Sequence, residues 1–167
     1  MIGILDYEAG NQTSVQRALN HLGIPCVISH DHALLAQTEG LIFPGVGQAG
    51  QAMRKLKERG LDHLLYDFAT QNKPILGICL GCQILLQHSE EDDTPLLGLL
   101  KGFVRRFPRE LYLDNRKAPV PHMGWNTLDP QKKCRLLENI HPNAAYYFVH
   151  SYYTQPEKEF ILTTTYY

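Results

Sequence analysis

The stretch Ile75-Leu76-Gly77-Ile78-Cys79-Leu80-Gly81-Cys82-Gln83-Ile84-Leu85-Leu86 sets an apolar run, a cysteine with glycines two residues to either side, and a second apolar run directly after one another. A buried strand that turns sharply into a helix satisfies this pattern, with the cysteine at the apex. The glycines remove side chains where backbone segments must come close. A strand ending in such a turn belongs in a parallel sheet whose loops gather at one edge.

The residues before it fit that setting. Ile2-Gly3-Ile4-Leu5 reads as a buried strand running into the loop Asp6 to Asn11. Val15, Ala18, Leu19 and Leu22 then fall on one helical face, with Thr13 and Gln16 at capping-box spacing and Gly23 as the stop. Cys26 to Ile28 reads as a second strand, Ala33 to Ala36 as a helical turn, and Leu41 to Phe43 as a third strand broken by Pro44-Gly45-Val46-Gly47. Ala52, Met53 and Leu56, then Leu61, Leu64, Leu65 and Phe68, predict helices before the fourth strand, Ile75 to Ile78. This alternation predicts an α/β fold with a parallel sheet covered on both faces by right-handed crossovers. After about residue 89 the helical spacing disappears. Glu90 to Pro95 reads as a polar loop, and strands are expected at Phe103 to Phe107, Val120 to Leu128, Tyr146 to Tyr153 and Phe160 to Thr165, a β-rich second half within one domain spanning 1–167.

Sixteen Lys and Arg against seventeen Asp and Glu leave no basic excess for a polyanion, so nucleic acid is not an expected partner. Nor is a membrane, because no apolar stretch approaches the ~20 residues needed to span one. With no basic leader ahead of an apolar segment, a cytoplasmic protein is expected. The four cysteines, Cys26, Cys79, Cys82 and Cys134, are too sparse for a disulfide scaffold and are expected as free thiols.

Cys79 therefore invites a chemical reading. At the tip of a strand-to-helix turn, a thiolate would be stabilised by the following helix N-terminus, and the Leu80 N–H could donate to an oxyanion. The glycine-bracketed loop Gly45-Val46-Gly47 could supply a second donor. Two other readings stay open: a small buried cysteine under the sheet edge, and a Cys79-x-x-Cys82 redox pair, which would need the helix to begin at Cys79. Zinc is disfavoured, since Cys26 and Cys134 lie far apart in sequence and no second close Cys or His pair completes a tetrahedral set.

With these residues in place the chain resembles the class I (triad) glutamine amidotransferases, whose fold is flavodoxin-like and three-layered. The matching segments are Asp6-Tyr7…Gly10-Asn11, Pro44-Gly45-Val46-Gly47, Arg59-Gly60-Leu61, Gly77-Ile78-Cys79-Leu80-Gly81…Gln83, Ser89-Glu90-Glu91, Pro121-His122-Met123-Gly124-Trp125-Asn126 and Tyr147-Phe148-Val149-His150-Ser151-Tyr152-Tyr153. The last two segments together narrow the likeness to the glutaminase subunits of imidazole glycerol phosphate synthases. The resemblance implies hydrolysis of glutamine to glutamate and ammonia, with Cys79 as nucleophile and no cofactor or metal. It implies an oxyanion held by backbone at Leu80, Gly45, Val46 and Gly47, and substrate held by Gln83, Ser151 and Tyr152. Asn11, Trp125 and Tyr147 would face a (β/α)8 cyclase that receives the ammonia in histidine biosynthesis. Outside that likeness, Trp125 and Tyr147 read equally well as core aromatics and His150 as a satisfied strand histidine.

Three departures qualify the likeness. The family's general base and its orienting acid sit in a His-Pro-Glu segment with no counterpart in this chain; His141-Pro142-Asn143 lies before the Tyr147 to Tyr153 segment and reads as a turn. The 167-residue chain is accordingly expected to be truncated at its C-terminus and to hydrolyse glutamine negligibly alone. Glu8-Ala9 replaces a glycine-rich pair, placing a carboxylate near the expected partner surface, as in a member serving another synthase. Cys82 stands where methionine is common. An inactive regulatory domain is the non-enzymatic alternative.

Overall fold

The computed structural model describes residues 1–167. The first half contains β1 (Ile2–Leu5), α1 (Gln12–His21), β2 (Cys26–Ser29), α2 (His32–Ala36), β3 (Gly40–Gly45), α3 (Ala49–Glu58), α4 (Leu61–Thr70), β4 (Ile75–Cys79) and α5 (Leu80–Ile84). The strands form one parallel sheet of order β2-β1-β3-β4, the α/β arrangement that the alternation predicts. The order reverses after β2, so right-handed crossovers put α1 on one face and α2, α3 and α4 on the other.

Burial follows from this. Leu5, Leu41 and Phe43 share a continuous core with Leu35, Leu56, Leu61, Leu64, Leu65 and Phe68, the predicted face of α4 landing inward at every position. The opposite face holds Ile4 and Leu19, both buried outside that cluster. Here expectation and structure diverge. A single helix crosses this face, and its cover does not reach β4: Leu76, in register with Ile42 and through it with Ile4, is 50% exposed and Ile78 40% exposed. On α1 itself Leu22 is exposed, leaving Leu19 as its only buried residue.

The ends of α1 differ in how well local pattern reports them. Its cap is Asn11, whose side chain accepts from Ser14 N at 3.1 Å, so the Thr13/Gln16 capping box does not form and Thr13 lies inside the first turn. Gly23 does end the helix: at φ +68° it donates to Asn20 O at 3.0 Å while Ile24 N donates to Leu19 O at 2.9 Å, the paired bonds of a Schellman closure.

The second half contains β5 (His88–Ser89), β6 (Thr94–Pro95), β7 (Gly102–Arg106), β8 (Leu111–Leu113), β9 (Arg116–Ala118), β10 (His122–Thr127), β11 (Asp129–Pro130), β12 (Ala145–His150), β13 (Tyr152–Pro156) and β14 (Thr163–Thr164). It is β-rich, but not in one piece. β13, β7, β5 and β6 form a second sheet, β10 pairs with β12 in a two-stranded ribbon, and β8 pairs with β9. The strand expected over Tyr146 to Tyr153 is two strands, because the chain leaves the ribbon at Ser151 and joins β7. The strand expected over Phe160 to Thr165 shrinks to β14, preceded by a short 3-10 turn at Lys158–Phe160. Its partner β11 contains Pro130, which has no N–H to donate to a ladder.

Ser89-Glu90-Glu91 ties the halves together. Glu91 Oε2 accepts from Ala49 N at the start of α3, at 2.8 Å. Glu90 accepts from Arg106 N and Arg105 Nη1, both at 2.8 Å; the backbone N–H first, then the guanidinium, holds its carboxyl below the usual carboxylate value. No helix is long and apolar enough to cross a membrane.

Candidate active site

Cys79 has φ +55° and ψ −116°, a left-handed backbone that costs a non-glycine residue about 1–3 kcal/mol and persists only when the surroundings enforce it. The enforcing contacts are visible at the two flanking glycines. A methyl group on Gly81 would lie 1.8 Å from the Phe43 carbonyl oxygen, and one on Gly77 would lie 2.6 Å from Cys82 Cα. The turn is therefore clamped between β3 and the first turn of α5, and only glycine fits either side. Cys79 is exposed at the tip.

Gly45 pairs in register with Cys79. This corrects the expected loop: β3 runs through Pro44 and Gly45, which align with Ile78 and Cys79, and only Val46 and Gly47 form the exposed turn before α3. Pro44 lies beyond Ile42, the last residue of β3 that pairs with β1, so its missing N–H interrupts no ladder on that side. Leu80, buried, opens α5, and its N–H is one of those that have no acceptor within the helix. Since α5 is only five residues long, its dipole is weaker than that of the full helix the sequence suggested. Behind the tip, Tyr7 is fully buried against Phe43, and its hydroxyl has no hydrogen-bond partner. Burial, reinforced by the charge of Cys79, pushes this phenol upward.

The redox-pair reading loses its premise. Cys79 caps α5 from outside, and the helix begins at Leu80. Cys82 is half-buried in α5, and burial, then the charge of Cys79, raises its thiol, so it is a poor source of thiolate.

Gln83, one helical turn beyond Cys79, donates from Nε2 to Tyr152 O at 3.1 Å. Ser151 O accepts from Phe107 N at 3.0 Å. The corner between β12 and β13 is thus docked against α5, bringing Gln83, Ser151 and Tyr152 to the side of the elbow. The remaining expected site residues lie elsewhere. Asn11 is the exposed cap of α1. Trp125 and Tyr147 are cross-strand partners on β10 and β12 with rings 5.6 Å apart. They are not core aromatics: Trp125 is 72% exposed, and Met123, Tyr147 and Val149 are exposed on the same ribbon face. His141 accepts from Asn143 N at 3.1 Å within a turn. Glu8 does not stand free; its carboxylate pairs with Arg59 and Lys55, and its backbone is left-handed at φ +62° in a position where glycine was expected.

The feature that pattern reading passed over is a histidine pair. His122 Nδ1 and His150 Nε2 are 3.2 Å apart, and His150 Nδ1 is 2.9 Å from Tyr152 O, the carbonyl that also receives Gln83. The alternation of β10 and β12 places both rings on the face opposite Trp125, the only signal that could have found them.

A glycine-clamped cysteine elbow on a parallel sheet is shared by several hydrolase classes, so the match to known proteins decides between them. The family model "Glutamine amidotransferase class-I" matches residues 3–166. The chain belongs to the class-I glutamine amidotransferase family. Among proteins similar to this amidotransferase, the imidazole glycerol phosphate synthase subunit HisH of Desulfovibrio desulfuricans is 55% identical over 168 residues, covering 100% of this chain and 77% of that one. The same subunit of Listeria monocytogenes is 44% identical over 166 residues, covering 99% and 77%. Of solved structures, a glutamine amidotransferase crystal structure superposes with a TM-score of 0.66 at 19% identity, covering 89% of this chain and 70% of its own, a likeness of fold.

Proposed function

We propose that this chain is the glutamine-hydrolysing subunit of an imidazole glycerol phosphate synthase, serving histidine biosynthesis. The observation that carries the reading is the strained Cys79 elbow, with Gly81 against the Phe43 carbonyl, in a chain 55% identical to a HisH subunit. Cys79 Sγ attacks the side-chain amide carbon of glutamine to give a tetrahedral oxyanion; the C–N bond then breaks and ammonia leaves with a proton. Water cleaves the resulting γ-glutamyl thioester, releasing glutamate and restoring the thiol. The Leu80 N–H and the backbone of Gly45, Val46 and Gly47 are the oxyanion donors in this reading. Gln83 and the Ser151-Tyr152 backbone hold the substrate.

The ammonia passes to a (β/α)8 cyclase subunit docked on the exposed ribbon face that carries Trp125 and Tyr147, with Asn11 at the same interface. An apolar, aromatic patch left open on a monomer is the usual mark of such a contact. Two domains are not needed: one amidotransferase domain spans the chain.

Protection of the nucleophile tests the reading without requiring turnover. Iodoacetamide alkylation of Cys79, followed by peptide mass spectrometry, should slow as glutamine is added and should not slow with asparagine, one methylene shorter. Equal alkylation rates with and without glutamine overturn it.

A further inference from the structure

The histidine pair has a definite hydrogen-bond geometry. A carbonyl oxygen can only accept, so His150 Nδ1 carries the proton that bonds to Tyr152 O at 2.9 Å. In the neutral ring its Nε2 presents a lone pair, to which His122 Nδ1 donates across the 3.2 Å between them. One backbone carbonyl thereby sets the tautomer of both rings. The rings are also held sideways. His122 is 4% exposed and stacks on Phe148 at 4.7 Å and on Tyr167 at 3.7 Å, while Phe107 packs 5.3 Å from His150. Neither histidine forms an ion pair, and neither hydrogen-bonds Cys79.

What the pair does touch is the carbonyl shared with Gln83. Tyr152 O receives two donors, Gln83 Nε2 from α5 and His150 Nδ1 from β12. The first comes from the helix that starts directly after Cys79. The second comes from the strand that ends one residue before Ser151. The carbonyl is thus the point at which the elbow helix and the sheet-switching corner are held to a common geometry.

We propose that His150, oriented by His122, is a positioning residue for glutamine: it fixes the Tyr152 carbonyl, and through it Gln83 and the Ser151-Tyr152 backbone, at the spacing that the substrate requires. This rests on the assignment of those groups to glutamine binding. A histidine that merely filled space would be replaceable by any side chain of its size. A positioning histidine is replaceable only by one that keeps a donor where Nδ1 sits, and asparagine Nδ2 can occupy that place.

The test is the glutamine concentration that half-protects Cys79 from iodoacetamide, measured on the whole chain. In His150→Leu it should rise about tenfold, the upper range for one lost hydrogen bond. His150→Asn should restore it to within about threefold of wild type, inside the spread of a single retained bond. His122→Phe, which keeps the stack on Phe148 but leaves His150 free to turn, should weaken protection several-fold and serves if His150→Leu does not fold. Unchanged half-protection in His150→Leu and His122→Phe, or an equal loss in His150→Asn and His150→Leu, overturns the positioning role. Absence of protection in the wild type overturns the proposed function instead.

Discussion

Gly81 of α5 approaches β3 so closely that a methyl group on it would sit 1.8 Å from the carbonyl oxygen of Phe43. The strained backbone of Cys79 depends on that approach. Gly81→Ala must push α5 away from β3 and is expected to destabilise the chain by about 3 kcal/mol, the range of a forced overpacking. The loss should appear in the denaturant midpoint together with loss of glutamine protection at Cys79. A variant as stable and as protectable as wild type would mean that the elbow is not clamped.

Trp125 is the only tryptophan in the chain and is 72% exposed, so its emission reports on its own surroundings. Mixing with the proposed cyclase partner should shift that emission to the blue. Trp125→Ala should weaken association by about 2 kcal/mol, or about thirtyfold, as for a central aromatic of an interface. Association unchanged by this substitution would move the partner surface elsewhere.

Burial, then the charge of His150, lowers the pKa of His122 from 6.5. The unfolded chain therefore binds the proton more readily than the folded one. The stability linked to His122 is complete above pH 6.5 and is lost as pH falls through the depressed folded value. Denaturant midpoints measured across this window should fall with acid in the wild type and fall less in His122→Asn. Glu90, held low by Arg106 N–H and Arg105, contributes stability present above 4.5 that disappears only below it, so the two effects separate.

Phe68 and Ile78 are both apolar residues in the α/β half with opposite environments. Phe68 is buried among α2, α3 and α4, and Phe68→Ala should cost about 3–5 kcal/mol. Ile78 lies on the uncovered face of β4, and Ile78→Thr should change stability by no more than about 1 kcal/mol, the span of strand propensities at such sites. Similar losses for the two would show that the β4 face is covered in solution.

His122 and His150 hydrogen-bond each other and Tyr152 O, and no histidine hydrogen-bonds Cys79. General acid–base help contributes about 10²–10⁴-fold in such reactions. Glutamine turnover by this chain alone should accordingly be undetectable by ammonia release, although glutamine still protects Cys79. Turnover abolished by Cys79→Ala would reveal a base among the residues present.

The parallel half of the fold was legible because each of its elements announces itself locally. Leu61, Leu64, Leu65 and Phe68 recur at helical spacing, and all four are buried. The nucleophile was legible for the same reason: Gly77 and Gly81 are needed by atoms only a few residues away or on the adjoining strand. The second half was read less well. The run from Tyr146 to Tyr153 is aromatic-rich on both sides of His150-Ser151, and nothing local in it shows that the chain changes partner strand at Ser151.

Local pattern in this chain thus settles the strand-turn-helix around Cys79, the crossovers before it and the kind of chemistry the tip can do, because backbone sterics and side-chain period act over a few residues. Tertiary packing decides what no period encodes. It brings Tyr152 O to Gln83 across 69 positions and turns Trp125 outward. It also joins His122 to His150, 28 positions apart. Those contacts are fixed by which strands meet across the fold, and their hydrogen bonds form only between groups that the chain's own order keeps far apart.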